Sequence, residues 1–465
     1  MPIATRMPIA TRMPIATRMP IATRRVPVTV RWSRESVETL TAFVAALIAG
    51  LSLMVPIDFA WTSRSSALHL NLLVFSLPQA IAAGALIAVV AAVLATALGG
   101  QSLRWGVALG GAVLLFINHL LGRHAVLGTS LATLNFLDTI AGGLILGGSG
   151  AAVLSRSRIE SRYSWTALAW LLGAISGVMG DEFAPEIRAT GVDQHFPQNW
   201  PALDNPPLWL ITVALLLIGL RFLREPGAQP AEPYSIQLPI VPIIAGGLVI
   251  GVSLLCSGVL ARHGDSLPAI AATTAAAIAA AVVAALLLPG RDGTQVLLAV
   301  ALAGAGSAIL ATDIPAWSLP ILLVLLGIGL LAGTRWPGVR VAAVGIIGLA
   351  AYSVLMVAAG HAAVLTGLGH GLLALLAGYG FGAVTPRYGS TRVLGIALIY
   401  VPSPVLALRD FTRRGHCLLT DSGKPCTLSD FTSFAPGWMA TALATGCAVG
   451  LWWLLRRRPD SDPAG

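Results

Sequence analysis

The chain is 465 residues long, 56% apolar and only 11% charged, with a mean hydropathy of +0.81; an average soluble domain carries about 25% charged residues. So few charges cannot cover the surface of a water-soluble protein of this length, and the long uncharged runs specify an all-α polytopic membrane protein. The net charge of +9 comes without a basic stripe interleaved with aromatics, which argues against nucleic acid as its cause, and the four cysteines show no metal or haem spacing, so neither metal nor cofactor is expected.

Residues 1–24 are four copies of Met-Pro-Ile-Ala-Thr-Arg, too short and too proline-broken to build a solenoid. Residues 1–35 are expected to be a disordered, arginine-bearing cytoplasmic tail, and the first span to serve as the insertion signal. A helix needs about 20 residues to cross the hydrocarbon. Fourteen runs approach that length: 37–56, 71–98, 103–121, 126–154, 165–181, 207–223, 238–261, 267–288, 294–312, 316–333, 339–359, 361–384, 391–408 and 435–455. Over-counting one pair in the Ala-rich and Gly-rich stretch 267–385 would leave twelve.

Placing the N-terminus inside puts 21 basic and eight acidic residues in cytoplasmic segments, and eight basic and eleven acidic residues outside. That asymmetry is the one cytoplasmic loops impose. It predicts an even number of crossings, both termini cytoplasmic, in the plasma (inner) membrane of a bacterium. The expected organisation is a helical half over 36–223, a proline-rich linker over 224–237, a second half over 238–455 with an extra helix pair, and a tail over 456–465.

One charge escapes that assignment. Asp138 lies near the middle of the fourth span, where a carboxylate costs at least about 2.5 to 3.5 kcal/mol. It is either a proton-coupling group facing a cavity or a neutral acid hydrogen-bonded to a neighbouring helix. Asn135 lies one turn earlier on the same face. His119, beside Asn118 near the outer end of the third span, and His370, between Gly369 and Gly371 in the twelfth, could relay protons or be packed, hydrogen-bonded histidines. Asp181 and Glu182 could form an acid and base pair or mark an aqueous boundary; Arg262, His263 and Asp313 get the boundary reading. Cys417 and Cys426, in one outside loop, are expected to form a structural disulfide.

Two inside loops share the spacing Gly, four residues, Arg, one residue, Gly: Gly99, Arg104 and Gly106 after the second span, and Gly382, Arg387 and Gly389 after the twelfth. This resembles the cytoplasmic loop signature of the major facilitator superfamily, with Leu103 and Pro386 where that family has aspartate. The glycines Gly173, Gly177 and Gly180 of the fifth span, following Gly148-Ser149-Gly150, resemble the glycine-rich fifth helix of the family's drug-proton antiporters, and fourteen spans resemble its fourteen-helix branch. Val178 stands where that branch has proline, and its intramembrane arginine in the fourth span is absent. The resemblance implies two pseudo-symmetric bundles, gating roles for both loops and a moving seam at the fifth span.

The expected function is proton-linked export of an amphipathic or lipid-like small molecule by alternating access, with membrane lipids and protons as further partners and no enzymatic activity. Alternatives are a lipid-linked saccharide flippase, which would need a cationic cavity, and a membrane acyl- or glycosyltransferase using Asp181 and Glu182. An antiporter-like respiratory subunit would need intramembrane lysines, whereas Lys424 is the only lysine. A non-transporting partner protein would lack a cavity between the halves.

Overall fold

The computed structural model describes residues 28–54, 67–98, 100–124, 131–160, 164–178, 206–225, 240–310, 316–360, 362–419 and 433–458. Fifteen helices account for nearly all of them: α1 Val28–Met54, α2 Ala67–Leu98, α3 Gln101–His124, α4 Leu131–Glu160, α5 Trp165–Val178, α6 Leu208–Arg224, α7 Val241–His263, α8 Leu267–Leu287, α9 Gly293–Ile309, α10 Leu319–Arg335, α11 Val339–Ala358, α12 Ala363–Ala383, α13 Gly389–Tyr400, α14 Pro404–Leu419 and α15 Ala435–Arg457. No strand occurs among the described residues.

Ten segments are long and apolar enough to cross a membrane, and α5, α9 and α10 are shorter apolar helices. One of the ten, Gly389–Thr412, contains both α13 and the start of α14. The break falls at Val401–Ser403, where Pro402 and Pro404 remove backbone donors. With α6, fourteen crossing units result, and each expected span falls on one of them. The chain is therefore an integral multi-pass membrane protein. Prolines enter α7, α8, α10 and α15 in their first turn, where their missing N–H costs nothing. Arginines occupy the last turns of α6, α10 and α15, complementing the helix dipole. Ends are called inner and outer below according to the charge distribution.

Pairing of helices repeats along the chain. α2 runs against α4 as α10 does against α12, and α1 packs on α5 as α9 does on α13. α3 lies on α4 and α6, and α11 on α12 and α15; α1 also meets α6, and α9 meets α15. Two bundles, α1–α6 and α9–α15, thus share one architecture. α7 and α8 stand outside the repeat, packed on each other, with α7 also on α2, α13 and α14 and α8 on α9 and α15.

Small residues permit the closest approaches. A Cβ on Gly143 or Gly147 would strike α2 backbone at Gly84 and Ala88, and one on Gly378 or Gly382 would strike α10 backbone at Leu326 and Leu330. At the inner end, Arg221 of α6 sits 3.1 Å from Glu38 of α1 and 2.7 Å from Glu225. This pairing keeps a buried guanidinium compensated where the first bundle ends.

Candidate functional site

Asp138 occupies the seam between α3 and α4. Its carboxylate lies 3.6 Å from His119 Nδ1, and both side chains are 0% exposed. Asn118 Nδ2 donates to Asp138 Oδ1 at 3.3 Å and to the Leu134 carbonyl at 2.9 Å. The structure thus brings together three of the residues singled out in the sequence. An imidazole and a carboxyl group buried at this separation form a donor and acceptor pair isolated from water, the arrangement a proton relay uses.

Depth departs from expectation. Asp138 contacts Asn118 and His119, which lie within three residues of the outer end of the candidate span Gln101–Leu121, and it is seventeen residues from Ser155, the inner end of its own candidate span, about 25 Å at 1.5 Å per residue. The carboxylate therefore sits toward the outer end of the helix, not at its middle. The apolar run 126–154 did not show this, because it records neither the level at which α3 meets the carboxylate nor that α4 continues through the charged segment to Glu160.

Asn135 and His370 occupy matching positions, each eight residues before the glycine that meets its partner helix, Gly143 on α2 and Gly378 on α10. Both are buried. His370 Nδ1 lies 2.7 Å from the Thr366 carbonyl, which can only accept, so that nitrogen carries the proton and Nε2 of the neutral ring is an acceptor. Neither Nε2 of His370 nor Oδ1 of Asn135 has a hydrogen-bond partner among the described residues. His370 shares a face of α12 with Ala374, Ala377 and Phe381, whereas Gly378 and Gly382 face α10 and Gly369 meets Tyr352 and Met356 of α11. His370 is not brought to Asp138 by any described contact.

The bundles meet along α13. At its inner end Gly389 faces Leu154 of α4, and Val393 fills the space over Gly150 beside Trp170 of α5; Trp170 Nε1 donates to Ser149 Oγ at 2.9 Å. At the other end of α13 the Tyr400 hydroxyl donates to the Ala174 carbonyl of α5, lodged in a notch where Gly50 of α1 and Gly177 of α5 touch. Gly173 supports the same contact, because a Cβ there would strike the Phe43 carbonyl. Two of the three glycines expected at a seam on α5 thus lie on its crossing with α1. Tyr400, which carried no sequence signal beyond a tyrosine before a proline, links the two bundles.

The two glycine-arginine loops have different surroundings. Arg104 donates from Nε to the Ala95 carbonyl at 3.3 Å and from Nη1 to Gln101 Oε1 at 3.2 Å and to Ser155 Oγ; Gln101 donates to the Ala152 carbonyl at 2.7 Å. It ties the inner ends of α2, α3 and α4, and Gly106 leaves room for Phe222 of α6. Arg387 follows α12, so in the repeated pairing its loop matches the one between α4 and α5, and the counterpart of the Arg104 loop is the α10–α11 turn. Asp292, between α8 and α9, accepts from the backbone N–H of Arg387 at 2.8 Å and of Tyr388 at 3.4 Å, and from Thr391 Oγ1 at 3.4 Å. Burial pushes its carboxyl above the ordinary value, opposed by these hydrogen bonds and by the Arg387 charge.

Arg392, counted in the sequence as a loop charge, lies within α13, with Nη2 donating to the Val384 carbonyl at 3.3 Å. Among the described residues no group of three or more His, Cys, Asp or Glu side chains could hold a metal. Residues 1–27, Gly99, Gly180, Asp181, Glu182, Asp313, Cys426 and the 226–239 linker segment lie outside the described residues, as does the Cys417 side chain.

No family model and no curated protein matches the chain. Among solved structures it is similar to the human organic anion transporter MFSD10 (TETRAN), at 15% identity over 90% of this chain and 99% of that one, with a TM-score of 0.49. It is also similar to an auto-inhibited POT family peptide transporter, at 13% identity over 94% and 98%, TM-score 0.49. A third likeness is to the major facilitator superfamily proton:xylose symporter XylE, at 13% identity over 91% and 96%, TM-score 0.47. All three scores lie below 0.5, and the functional reading of this chain rests on its own packing.

Proposed function

We propose that the chain is a secondary transporter in which the α1–α6 bundle rocks against the α9–α15 bundle, opening alternately to the two membrane faces. In this reading 224–237 is the linker, α7–α8 the extra pair within 238–455, and the chain a member of the major facilitator superfamily. The observation that carries it is the repeated helix pairing, with the two bundles joined along α13 by glycine-lined contacts at one end and the Tyr400 hydrogen bond at the other. Repeats that meet across small residues are suited to rigid-body rocking.

Proton linkage is assigned to His119 and Asp138, and the cargo to the two helix faces that bear Asn135 on α4 and His370 on α12. Each of these side chains is a buried acceptor without a partner among the described residues, which fits an amphipathic, lipid-like molecule exported from the cell. Because the carboxylate lies in the α3–α4 seam, coupling requires that seam to open in one of the two states. The test is proton movement in sealed proteoliposomes under an imposed pH gradient, read by an internal pH dye on adding ethidium or 8-anilinonaphthalene sulfonate. Wild type should show cargo-dependent proton flux, and Asp138→Asn should not. Equal flux in both would remove Asp138 from the mechanism.

A further inference from the structure

The inner end of α15 and the α10–α11 turn carry a cluster of cations and indoles that transport does not use. Arg456 lies over the Trp452 ring at 3.5 Å from its centroid, and Arg457 over Trp453 at 4.2 Å. A guanidinium stacked on an indole keeps its N–H edge in the plane of the fork and available to an oxyanion. Neither arginine has a described ion pair or hydrogen bond, and α8, α10, α11 and α15 contain no carboxylate.

Registration brings a second pair to the same level. α11 and α15 run antiparallel, with Gly437 of α15 against Ser353 and Val354 of α11. Seventeen residues along each helix, near Leu454 on α15, the chain of α11 has reached the turn bearing Trp336 and Arg340. Trp336 is 70% exposed, yet its carbonyl is held by the Tyr379 hydroxyl at 2.9 Å, so an exposed indole stands on a fixed turn. The outward stripe of α11 (Val341, Val344) and that of α15 (Val449, Trp452) are exposed apolar surfaces that end at these arginines. Acyl chains along the stripes would place a headgroup phosphate at the guanidinium edges.

The geometry points to a binding site for an anionic phospholipid between the inner ends of α11 and α15, its phosphate held by Arg340 and Arg456 and its glycerol region on Trp336 and Trp452. An ordinary interfacial belt would scatter aromatics and cations around the whole perimeter. Here Trp336, Arg340 and the stacked Trp452–Arg456 pair are brought to one level between two helices, whereas Trp453 and Arg457, seven residues beyond Gly446 and Gly450, share the face of α15 that meets Ile278 and Val282 of α8.

The test uses the purified full chain in detergent, offered equal amounts of dioleoylphosphatidylglycerol and dioleoylphosphatidylcholine, with retained lipid counted by native mass spectrometry. Wild type should retain one phosphatidylglycerol in clear preference. Each of R340Q and R456Q should lower the preference about fivefold, and W452L, which keeps every charge, should lower it less. R224Q, which removes an exposed inner arginine of α6, should leave it unchanged. The proposal is overturned if the double variant R340Q/R456Q keeps the wild-type ratio while remaining monodisperse, or if R224Q lowers it equally. A wild-type ratio near one, as would follow if Asp460 and Asp462 of the succeeding tail neutralised the arginines, overturns it as well.

Discussion

His119 and Asp138 form a fully buried imidazole and carboxyl pair inside the first bundle, and removing either partner has unequal consequences. His119→Leu leaves a buried carboxyl without its cation, a loss on the scale of about 3 to 5 kcal/mol if it stays charged. Asp138→Asn keeps an acceptor for Asn118 and should cost only about 1 kcal/mol. Thermal unfolding should therefore rank wild type, Asp138→Asn and His119→Leu in falling stability, with the double variant less destabilised than the sum of the two. Additive losses would show that the two side chains do not interact. Tyr400→Phe makes a different prediction. It removes the second donor of the Ala174 carbonyl, which keeps its bond within α5, at about 0.5 to 1.5 kcal/mol, and because that side-chain bond joins the two bundles the variant should redistribute conformations while its helix content by circular dichroism stays the same.

At the level of elements, α13 is the joint of the molecule, held at its inner end by Asp292 and at its outer end by Tyr400. The folded-state pKa of Asp292 is raised above its unfolded value, so the folded protein binds the proton more tightly and stability falls as pH rises from the ordinary carboxylate range through the folded pKa. Asp292→Asn, which keeps an acceptor for the α13 backbone, should be relatively more stable than wild type above that window. The difference in melting temperature should shrink as the pH is lowered into the window; a difference independent of pH would contradict the assignment. Gly177→Ala tests the outer contact: its Cβ would lie 2.5 Å from the Gly50 backbone, so α1 and α5 must separate and the melting temperature must fall.

The elements were largely legible in the sequence, because hydrocarbon thickness dictates apolar length, and each of the fourteen runs coincides over its described residues with one crossing unit, the run 391–408 taking in both α13 and the start of α14. Depth within a helix was not, since an apolar run does not record where a helix extends past the hydrocarbon; hence Asp138 was expected at the centre of a span, whereas it meets Asn118 and His119 near the outer end of α3 and its own helix continues to Glu160. Contacts between distant helices were not legible either. Asp292 and Tyr400 gain their roles from partners 95 and 226 positions away, and no local pattern marks them. The shared spacing at Arg104 and Arg387 was visible, yet the repeat places those loops at different points of the two bundles.

For the whole molecule, the repeated pairing makes a statement about motion: two bundles that pivot on α13 must open one face as they close the other. Spin labels at exposed positions can read both faces, Leu98 with Trp336 at the inner ends and Leu121 with Val364 at the outer ends, in a chain whose cysteines are replaced by serine. Distance distributions measured in lipid nanodiscs at about pH 5 and about pH 8, on either side of an ordinary imidazole pKa, test the central claim most directly. Alternating access predicts two populations for each pair, with the inner distance lengthening in the condition where the outer one shortens, and a shifted balance in Tyr400→Phe. Single, unchanging distributions for both pairs, or inner and outer distances that lengthen together, would contradict it.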